Sequence, residues 1–382
     1  MNKKLKLVLC LFKYFPFGGL QRDFLKIAET CMDRGHQVEA CAAAWQGKTP
    51  AGLRVSILSA RGFTNHGRAE SFAARLKEHL ASAPVDAVVG FNKMPGLDLY
   101  FASDPCFAAK ALARGPWYRL TPRSRSYLRL ERAVFHKRAK TEILLLSERE
   151  KGHFIKHYGT ADERFHLLPP GIPKDCVRPP NAEEVRAELR RELAIGQDEK
   201  ILLMVGSGFR TKGVDRAIRG LSSLPPALRE ITVLLIVGQD RMKPYKRLAK
   251  RLGLEDQVRF VGGREDVPRF LTTADLLLHP AYRENTGSVL IEGMAVGLPV
   301  LATDVCGYSD HIRLAGAGEL APSPFRQETF NQLLSSMLVS KKRDVWRKKG
   351  MQYVASADVF SLTEKAVDMI ERVALSRHGP GS

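Results

Sequence analysis

The stretch DLLLHPAYRENTGSVLIEGMAVG, residues 275–297, joins an apolar run, a polar turn and a second apolar segment. Its first part, residues 275–280, predicts a short buried strand, whereas the apolar residues from Ser288 onward recur with helical spacing. The turn at residues 285–287 therefore lies where a strand ends and a helix begins. Backbone amides and the positive end of a helix dipole at such a corner suit a phosphate or a sugar hydroxyl.

Two glutamates, Glu284 and Glu292, lie eight positions apart around this turn. Because a carboxylate has two acceptor oxygens, one glutamate can hold the vicinal hydroxyls of a ribose while the other holds those of a transferred sugar. There are also plainer interpretations, a solvated loop position for Glu284 and a helix-dipole contact for Glu292. The spacing alone leaves both open.

The same alternation of short apolar strands and helical patterns continues along the chain, which predicts parallel sheets with crossover helices. The strands predicted before the middle of the chain are residues 5–11, 37–43, 53–58, 86–91 and 143–147. Those predicted after it are residues 201–206, 231–238, 257–261, 275–279 and 299–303. Helices are predicted at residues 20–34, 325–338 and 362–375.

Length and composition indicate two domains. A chain of 382 residues with 44% apolar content can bury two cores, and the proline-rich stretch PKDCVRPPN at residues 173–181 predicts a linker. We therefore expect an N-terminal domain at residues 1–172, a second domain at residues 173–360 and a last segment at residues 361–382.

The six cysteines have neither CxxC nor metal-ligand spacing, so they predict free thiols in a reducing compartment and no zinc site. The apolar run at the start of the chain breaks at Lys13 without a cleavage site, which favours a buried strand over a signal peptide. No run approaches the roughly 20 apolar residues that cross a bilayer.

Several strings of residues carry a resemblance to a known family. Residues 281–297 resemble the donor-site signature of retaining GT-B glycosyltransferases of family 4. More narrowly, the chain resembles bacterial lipopolysaccharide core α-1,3-glucosyltransferases in the strings KYFPFGGLQRDF (13–24), GFNKMPGLD (90–98), HYGT (157–160), LLPPGI (167–172), KGVDR (212–216) and TDVCGY (303–308).

The resemblance implies an α/β fold of the GT-B type, with two Rossmann-like, doubly wound parallel sheets facing a cleft, and a last helix that crosses back onto the first domain. Ligands of such sheets bind at the carboxyl ends of the strands. It further implies UDP-glucose as the donor, heptose of the lipopolysaccharide inner core as the acceptor, and a retaining front-face displacement. A double-displacement route stays open.

The phosphates of such a donor need a counter-charge, and no D-x-D metal motif occurs in the chain. We therefore expect no metal and no other cofactor, with Lys212, the turn of Asn285, Thr286 and Gly287, and the glycine pair Gly18 and Gly19 forming an electrostatic cradle. The plainer interpretations are a tight turn for the glycine pair and a solvated surface position for Lys212. The string GSGFRTKG (206–213) fits neither a P-loop nor a dinucleotide fingerprint.

The resemblance departs at Ser207 and Thr211, where related enzymes carry arginine, and Arg210 is predicted to take over that contact. By resemblance, Asp23 orients the acceptor hydroxyl, although a helix-dipole contact explains it equally well. Asp104 is a weaker candidate for contacting the donor sugar. His279, at a predicted strand end, is interpreted as a packed core residue and not as a catalyst.

The net charge of +19 is concentrated in residues 107–140, which hold ten lysines and arginines against one acid, Glu131. Apolar and aromatic side chains are interleaved with these bases, and residues 127, 130 and 134 share a predicted helical face. This pattern fits adsorption to an anionic membrane leaflet at about 1 kcal/mol per base, and the resemblance implies the same. The residues predicted to contact the membrane are Arg114, Trp117, Tyr118, Arg119, Arg123, Arg125, Arg129 and Arg132.

A solvated basic face, an acidic acceptor and a nucleic acid are competing explanations of this charge. Nucleic acid is disfavoured because no binding motif for it accompanies the run. The leading expectation is a cytoplasmic transferase, peripherally bound to the inner membrane. The alternatives are a GT-B transferase with another nucleotide sugar or a phospholipid acceptor, and a non-catalytic membrane-binding module. The retained Glu284, Glu292, Lys212 and glycine pair argue against the module.

Overall fold

The computed structural model describes residues 3–16, 18–82 and 84–377. Phe17, within the predicted glycine turn, and residues 378–382, at the end of the predicted last segment, lie outside the described residues. The chain divides into two compact units. The first comprises Met1–Pro169 with Ser361–Ser382, and the second comprises Pro170–Phe360.

The first unit contains a seven-stranded sheet in the order β3-β2-β1-β4-β5-β6-β7, with parallel pairing throughout. Its elements before the linker are β1 (Lys6–Tyr14), α1 (Gly19–Asp33), β2 (Gln37–Trp45), β3 (Arg54–Ile57), α2 (Asn65–Leu80), β4 (Ala87–Gly90), β5 (Leu99–Ala102), α3 (Phe107–Ala113), α4 (Pro116–Leu120), α5 (Pro122–Phe135), β6 (Glu142–Leu145), α6 (Glu148–Tyr158) and β7 (Phe165–Leu167).

Apolar residues cover both faces of this sheet because helices pack on each side, as parallel sheets require. Side chains alternate between faces along a strand. Leu7 and Leu9 of β1 accordingly join one core cluster, while Val8 and Cys10 join the other. All six cysteines are free and buried.

The second unit contains a six-stranded parallel sheet in the order β10-β9-β8-β11-β12-β13. Its elements are α7 (Ala182–Glu192), β8 (Lys200–Val205), α8 (Phe209–Lys212), α9 (Val214–Ser222), α10 (Pro226–Glu230), β9 (Thr232–Val237), α11 (Lys243–Arg251), β10 (Val258–Gly262), α12 (Val267–Thr273), β11 (Leu276–His279), α13 (Ser288–Ala295), β12 (Val300–Thr303), α14 (Ser309–Ala315), β13 (Gly318–Ala321), α15 (Gln327–Val339) and α16 (Arg343–Ser356).

The last helix, α17 (Leu362–Ser376), belongs to the first unit, where it packs against α1. Its apolar stripe of Leu362, Ala366 and Ile370 follows helical periodicity and is buried. Arg34, at the end of α1, adds ion pairs to three acids of α17, at 2.6 Å to Glu364, 2.7 Å to Asp368 and 3.0 Å to Glu371.

The predicted class of two doubly wound parallel sheets is confirmed, but the predicted strand count was too low. The strands β7 and β13 were missed because their three and four residues are mostly only partly buried, so neither forms a continuous apolar run. The strand β5 was also absent from the predicted strands, although its four residues are buried. By contrast, β1 continues past its predicted end to Tyr14 because Lys13 pairs in register with Ala44 of β2.

Candidate functional site

In both sheets the strand order reverses at one place, and parallel sheets bind ligands at such a switch point, beyond the strand carboxyl ends. In the second unit the reversal falls between β8 and β11, which pair directly. Lys212 lies in α8, just after β8, and Glu284 follows β11. The two residues are 72 positions apart in the chain, and the strand order brings their loops together.

A compact cluster forms at this switch point. The Lys212 Nζ donates to Glu284 Oε2, forming an ion pair. The His279 Nε2 also lies 3.1 Å from Glu284 Oε2. The histidine side chain is 1% exposed, the glutamate 13% and the lysine 22%, so the charges are largely shielded but the lysine reaches solvent.

The environment fixes the protonation of these groups. Burial raises the pKa of Glu284, but the hydrogen bond from His279 and the positive charge of Lys212 outweigh it and lower that pKa from 4.5 to about 2. Burial and the charge of Lys212 also lower the pKa of His279. At neutral pH, Glu284 is therefore a carboxylate, and His279 is a neutral ring that donates its Nε2 proton to it.

The lowered pKa of Glu284 predicts a pH dependence of stability. Because the folded-state pKa of about 2 is below the ordinary 4.5, the contribution is present above pH 4.5 and is lost as the pH falls from 4.5 towards 2. The full shift corresponds to about 3 kcal/mol. In chemical denaturation, the Glu284→Gln variant should lose less unfolding free energy than the wild type across that interval. Parallel pH profiles for the two proteins would contradict this.

The turn before α13 is held by the loop after β12. Gly307 N donates to Glu284 O at 3.1 Å, and Tyr308 N donates to Thr286 O at 2.9 Å. Gly287 occupies the N-cap position of α13 with a φ of +91°, and an added Cβ would lie 3.2 Å from the Cγ of Glu284. A side chain at this position would therefore be strained and would crowd the glutamate. Asn285 lies half-buried beside Glu284 in this turn.

Glu292 lies within α13 and is 6% exposed, and its backbone oxygen accepts a weak hydrogen bond from Cys176 Sγ. Glu284 instead forms an ion pair with Lys212 and a hydrogen bond with His279, so the two glutamates have different surroundings. On the other side of the switch point, Arg210 and Thr211 are exposed on α8. Ser207 Oγ accepts a hydrogen bond from Gln239 N at 3.1 Å.

In the first unit, the strand order reverses between β1 and β4, and the predicted glycine turn follows β1. Gly18 has a φ of −100°, so its backbone does not require glycine. An added Cβ at Gly19 would meet open space, which leaves the start of α1 accessible. Asp23 is the fifth residue of α1 and is half-buried, so it lies beyond the first helical turn, where a helix-dipole contact would act. Asp104 is exposed after β5, beyond the switch point.

The basic segment folds into α3, α4 and α5. Its predicted apolar face at residues 127, 130 and 134 was wrong as a membrane anchor, because Leu130 and Val134 are buried in the core and Tyr127 packs against it. The exposed large apolar side chains belong to α3 and α4 instead, where Leu112 is 52%, Trp117 is 83% and Leu120 is 57% exposed. The six arginines predicted to contact the membrane are all exposed: Arg114, Arg119, Arg123, Arg125, Arg129 and Arg132. Tyr118, which was predicted to contact the membrane with them, is half-buried.

Glu131, the acid within this segment, is fully buried. Its carboxylate accepts hydrogen bonds from the backbone N–H groups of Phe107 and Ala108 at the start of α3, at 2.7 and 2.8 Å. It also binds Lys93 Nζ at 2.5 Å and the Tyr158 hydroxyl at 2.7 Å. Because this charge is neutralised internally, the outer surface of the segment is basic. No helix among the described residues is long and apolar enough to span a membrane.

A separate group of potential metal ligands, Glu39, Cys41 and His79, brings its ligand atoms within 4.8 Å of one another in the first unit. Their spacing in the sequence gave no sign of this, because β2 and α2 supply them. His79 Nε2 lies 2.9 Å from Glu39 Oε1, and Ser56 Oγ donates to the same oxygen at 2.5 Å. These hydrogen bonds account for the carboxylate without a metal.

Comparisons with known proteins agree with this architecture. The model of the family described as glycosyl transferases group 1 matches residues 185–353, and that of Glycosyltransferase Family 4 matches residues 17–175. The lipopolysaccharide glucosyltransferase WaaG of Escherichia coli K12 is 45% identical over 366 residues, which cover 94% of this chain and 97% of the relative. A D-inositol 3-phosphate glycosyltransferase of Streptomyces scabiei is 32% identical over 194 residues, covering 48% and 43% of the two chains.

Among solved structures, a crystal structure of WaaG superimposes with a TM-score of 0.92 at 44% identity, covering 95% of this chain and 99% of that one. Anabaena HepE in complex with UDP and glucose gives a TM-score of 0.74 at 18% identity, with 96% and 100% covered, which shows a shared fold. The chain therefore belongs to the GT-B glycosyltransferases of family 4 and, within them, to the family of the lipopolysaccharide glucosyltransferase WaaG.

Sequence reasoning missed the contact of His279 with Glu284. Its burial was expected, but a histidine before a proline at a strand end gives no local signal of a bond to a residue five positions on. The structure thus joins Lys212, Glu284 and the turn at residues 285–287 in one unit. Gly18, Gly19, Asp23 and Asp104 lie in the other.

Proposed function

We propose that this glycosyltransferase moves glucose from UDP-glucose to a heptose of the lipopolysaccharide inner core, with retention of configuration and without a metal. The observation that carries the proposal is the ion pair of Lys212 and Glu284 beside His279 at a sheet switch point. An ammonium group that reaches solvent next to a helix N-terminus suits a diphosphate. An ionised carboxylate beside it suits sugar hydroxyls.

In the proposed reaction, the bond from the anomeric carbon to the phosphate oxygen breaks as the acceptor hydroxyl bonds to the same face of that carbon. The acceptor proton passes to the departing phosphate oxygen, so UDP and the new glycoside are the products. Lys212 and the amides before α13 stabilise the charge that develops on the diphosphate. Glu284 and Glu292 hold the sugar and ribose hydroxyls, with Asn285 and Thr286 alongside.

The acceptor is proposed to bind residues of the first unit. Asp23 follows the open start of α1 at Gly18 and Gly19, next to the switch point of that sheet, and its carboxylate is suited to orient a hydroxyl. Asp104 has weaker support, since it follows β5 and not one of the two strands at the switch. The choice of glucose and of a lipopolysaccharide acceptor is supported by the relative that matches nearly the whole chain.

A second candidate acceptor is an inositol phosphate or another phosphorylated polyol, because relatives that act on D-inositol 3-phosphate match about half of the chain. The E. coli relative matches much more of the chain at higher identity, which favours the lipopolysaccharide acceptor.

The donor proposal is tested by measuring transfer to heptose-terminated lipopolysaccharide from a panel of UDP-sugars, with and without EDTA. We expect UDP-glucose to give the highest kcat/KM and EDTA to leave the rate unchanged, because Lys212 and backbone dipoles replace a metal. A strict requirement for added Mn²⁺ or Mg²⁺ would remove the metal-free proposal. A preference for inositol phosphate as acceptor would favour the second candidate.

The enzyme is further proposed to work peripherally at the cytoplasmic face of the inner membrane, through the exposed arginines of residues 107–140 and Trp117. Arginines with exposed aromatic and aliphatic neighbours fit the interface of an anionic leaflet. The proposed partner of this surface is the membrane and not a nucleic acid. Binding there would bring the enzyme to an acceptor that is anchored in the membrane.

Replacing Arg119, Arg123, Arg125 and Arg132 together by glutamine should weaken binding to phosphatidylglycerol vesicles by up to about 10³-fold, because each base contributes up to about 1 kcal/mol. Vesicle co-sedimentation at low and high salt measures this. A charge-matched control is provided by the exposed bases of α11, Lys243, Lys246, Arg247 and Lys250, also changed to glutamine. Equal losses in both variants would mean that net charge alone drives adsorption, and stronger binding to duplex DNA would contradict the membrane assignment.

A further inference from the structure

Arg216, the third residue of α9, is enclosed by aromatic rings. Its guanidinium carbon lies 3.5 Å from the ring centroid of Tyr282 and 3.7 Å from that of Phe325. Its Nη1 donates to the backbone oxygens of Pro280 at 3.2 Å and Ala281 at 3.0 Å. The two rings therefore contact the faces of the guanidinium, and the two backbone oxygens bind its edge. The planar head group of arginine can make both kinds of contact at once, whereas the ammonium group of lysine cannot.

The backbone that Arg216 holds is the link between His279 and Glu284. Two further hydrogen bonds, with residues that precede Arg216 in the chain, hold the same link. Tyr282 N donates to Thr211 O at 2.8 Å, and the Tyr282 hydroxyl donates to Asp215 Oδ2 at 2.8 Å.

Gly213 makes the approach possible. Its φ is +78°, and an added Cβ would lie 2.0 Å from Pro280 O, which no side chain could tolerate. Residues 211–216 and residues 280–282 are therefore held together by hydrogen bonds to the backbone, by the contact of Arg216 with the Tyr282 ring and by the Tyr282 hydroxyl. Thr303 Oγ1 also holds this link by donating to Ala281 O at 2.9 Å.

Residues 211–216 also contain Lys212. The contacts between residues 211–216 and residues 280–282 consequently set the position of the Lys212 ammonium relative to the Glu284 carboxylate, because they fix the backbone of both residues. We propose that Arg216 is a positioning residue for sugar transfer, which keeps these two groups at the separation that the transition state needs without contacting the donor itself. The inference rests on the proposed role of Lys212 and Glu284 in donor binding.

Arg216→Lys keeps the positive charge and removes the planar fork. We expect kcat for transfer from UDP-glucose to fall about tenfold while KM for the donor changes less than about threefold, because misplaced groups cost more in the transition state than in the ground state. Arg219→Lys is the matched control, since Arg219 is exposed on the same helix. It should transfer at the wild-type rate.

A double-mutant cycle with Glu284→Gln separates positioning from general stability. If Arg216 acts through Glu284, Arg216→Lys should cause little further loss in the Glu284→Gln background. A residue that only stabilises the fold would lower the rate by the same factor in both backgrounds, and that result would overturn the inference, as would a wild-type kcat for Arg216→Lys.

Should Arg216→Lys fail to fold, Phe325→Leu removes one of the two rings and is judged by the same cycle, with a smaller expected loss of about threefold. Different results would reject the proposed function and the positioning role of Arg216. Wild-type rates for Glu284→Gln and Lys212→Met would reject the donor site itself, whereas inactive Glu284→Gln with fully active Arg216→Lys would reject the positioning role alone.

Discussion

Glu284→Gln should lower kcat for sugar transfer by about 10²–10³-fold, the loss typical of removing one preorganised electrostatic contact from a transition state. The amide keeps the shape of the side chain but loses the charge that holds Lys212 and one of the two acceptor oxygens. Because the carboxylate is ionised at neutral pH, with a pKa of about 2, the substitution removes a full negative charge from the site.

Initial rates of UDP release at saturating donor and acceptor measure this effect. Glu184→Gln, at an exposed position of α7, is the matched control and should retain the wild-type rate. Thermal unfolding should show that Glu284→Gln is folded at the assay temperature. A folded Glu284→Gln variant with more than half of the wild-type kcat would show that Glu284 does not take part in transfer.

Lys212→Met should have an effect of similar size, about 10²–10³-fold on kcat/KM, because it removes the ammonium proposed to neutralise the departing diphosphate. It should also weaken binding of UDP alone, since the diphosphate remains in that ligand. The pKa of Glu284 should rise from about 2, because the charge of Lys212 helps to lower it. Calorimetric titration with UDP and steady-state rates measure the two losses.

Lys212→Arg and Lys348→Met are the informative companions to this variant. Arginine keeps the charge but not the compact head group, so we expect partial activity. Lys348 is exposed on α16, and its replacement should leave both UDP binding and transfer unchanged. Undiminished affinity of Lys212→Met for UDP would place the diphosphate elsewhere and contradict the metal-free cradle.

Local signals in the sequence were enough to predict the class of fold. The apolar run from Leu276 to His279 and the helical spacing after Ser288 depend on neighbouring residues, so periodicity reveals them. The same reasoning failed for β13, in which only the last of four residues is fully buried. It also failed for α5, where periodicity identified an apolar face at Leu130 and Val134 without indicating that the face was turned to the core.

The site was only partly predictable from the sequence. Glu284, Lys212 and the turn at residues 285–287 were selected from their motifs and from a resemblance, but no local pattern indicated that the first two form an ion pair. Their contact depends on β8 lying beside β11, with two strands of the intervening chain on the other side of β8. Strand order is a property of the whole sheet, so it does not appear in the spacing of residues.

Sequence by itself determined the parallel α/β architecture, the family and the residue types available for chemistry, because those follow from short-range periodicity and from strings of adjacent residues. Only the tertiary structure decided that His279 donates to Glu284 and that Arg216 holds the link between them. It also decided that Trp117 and Leu120 are exposed while the face of α5 is buried. These are contacts between elements, and they exist only once both sheets and their helices have packed.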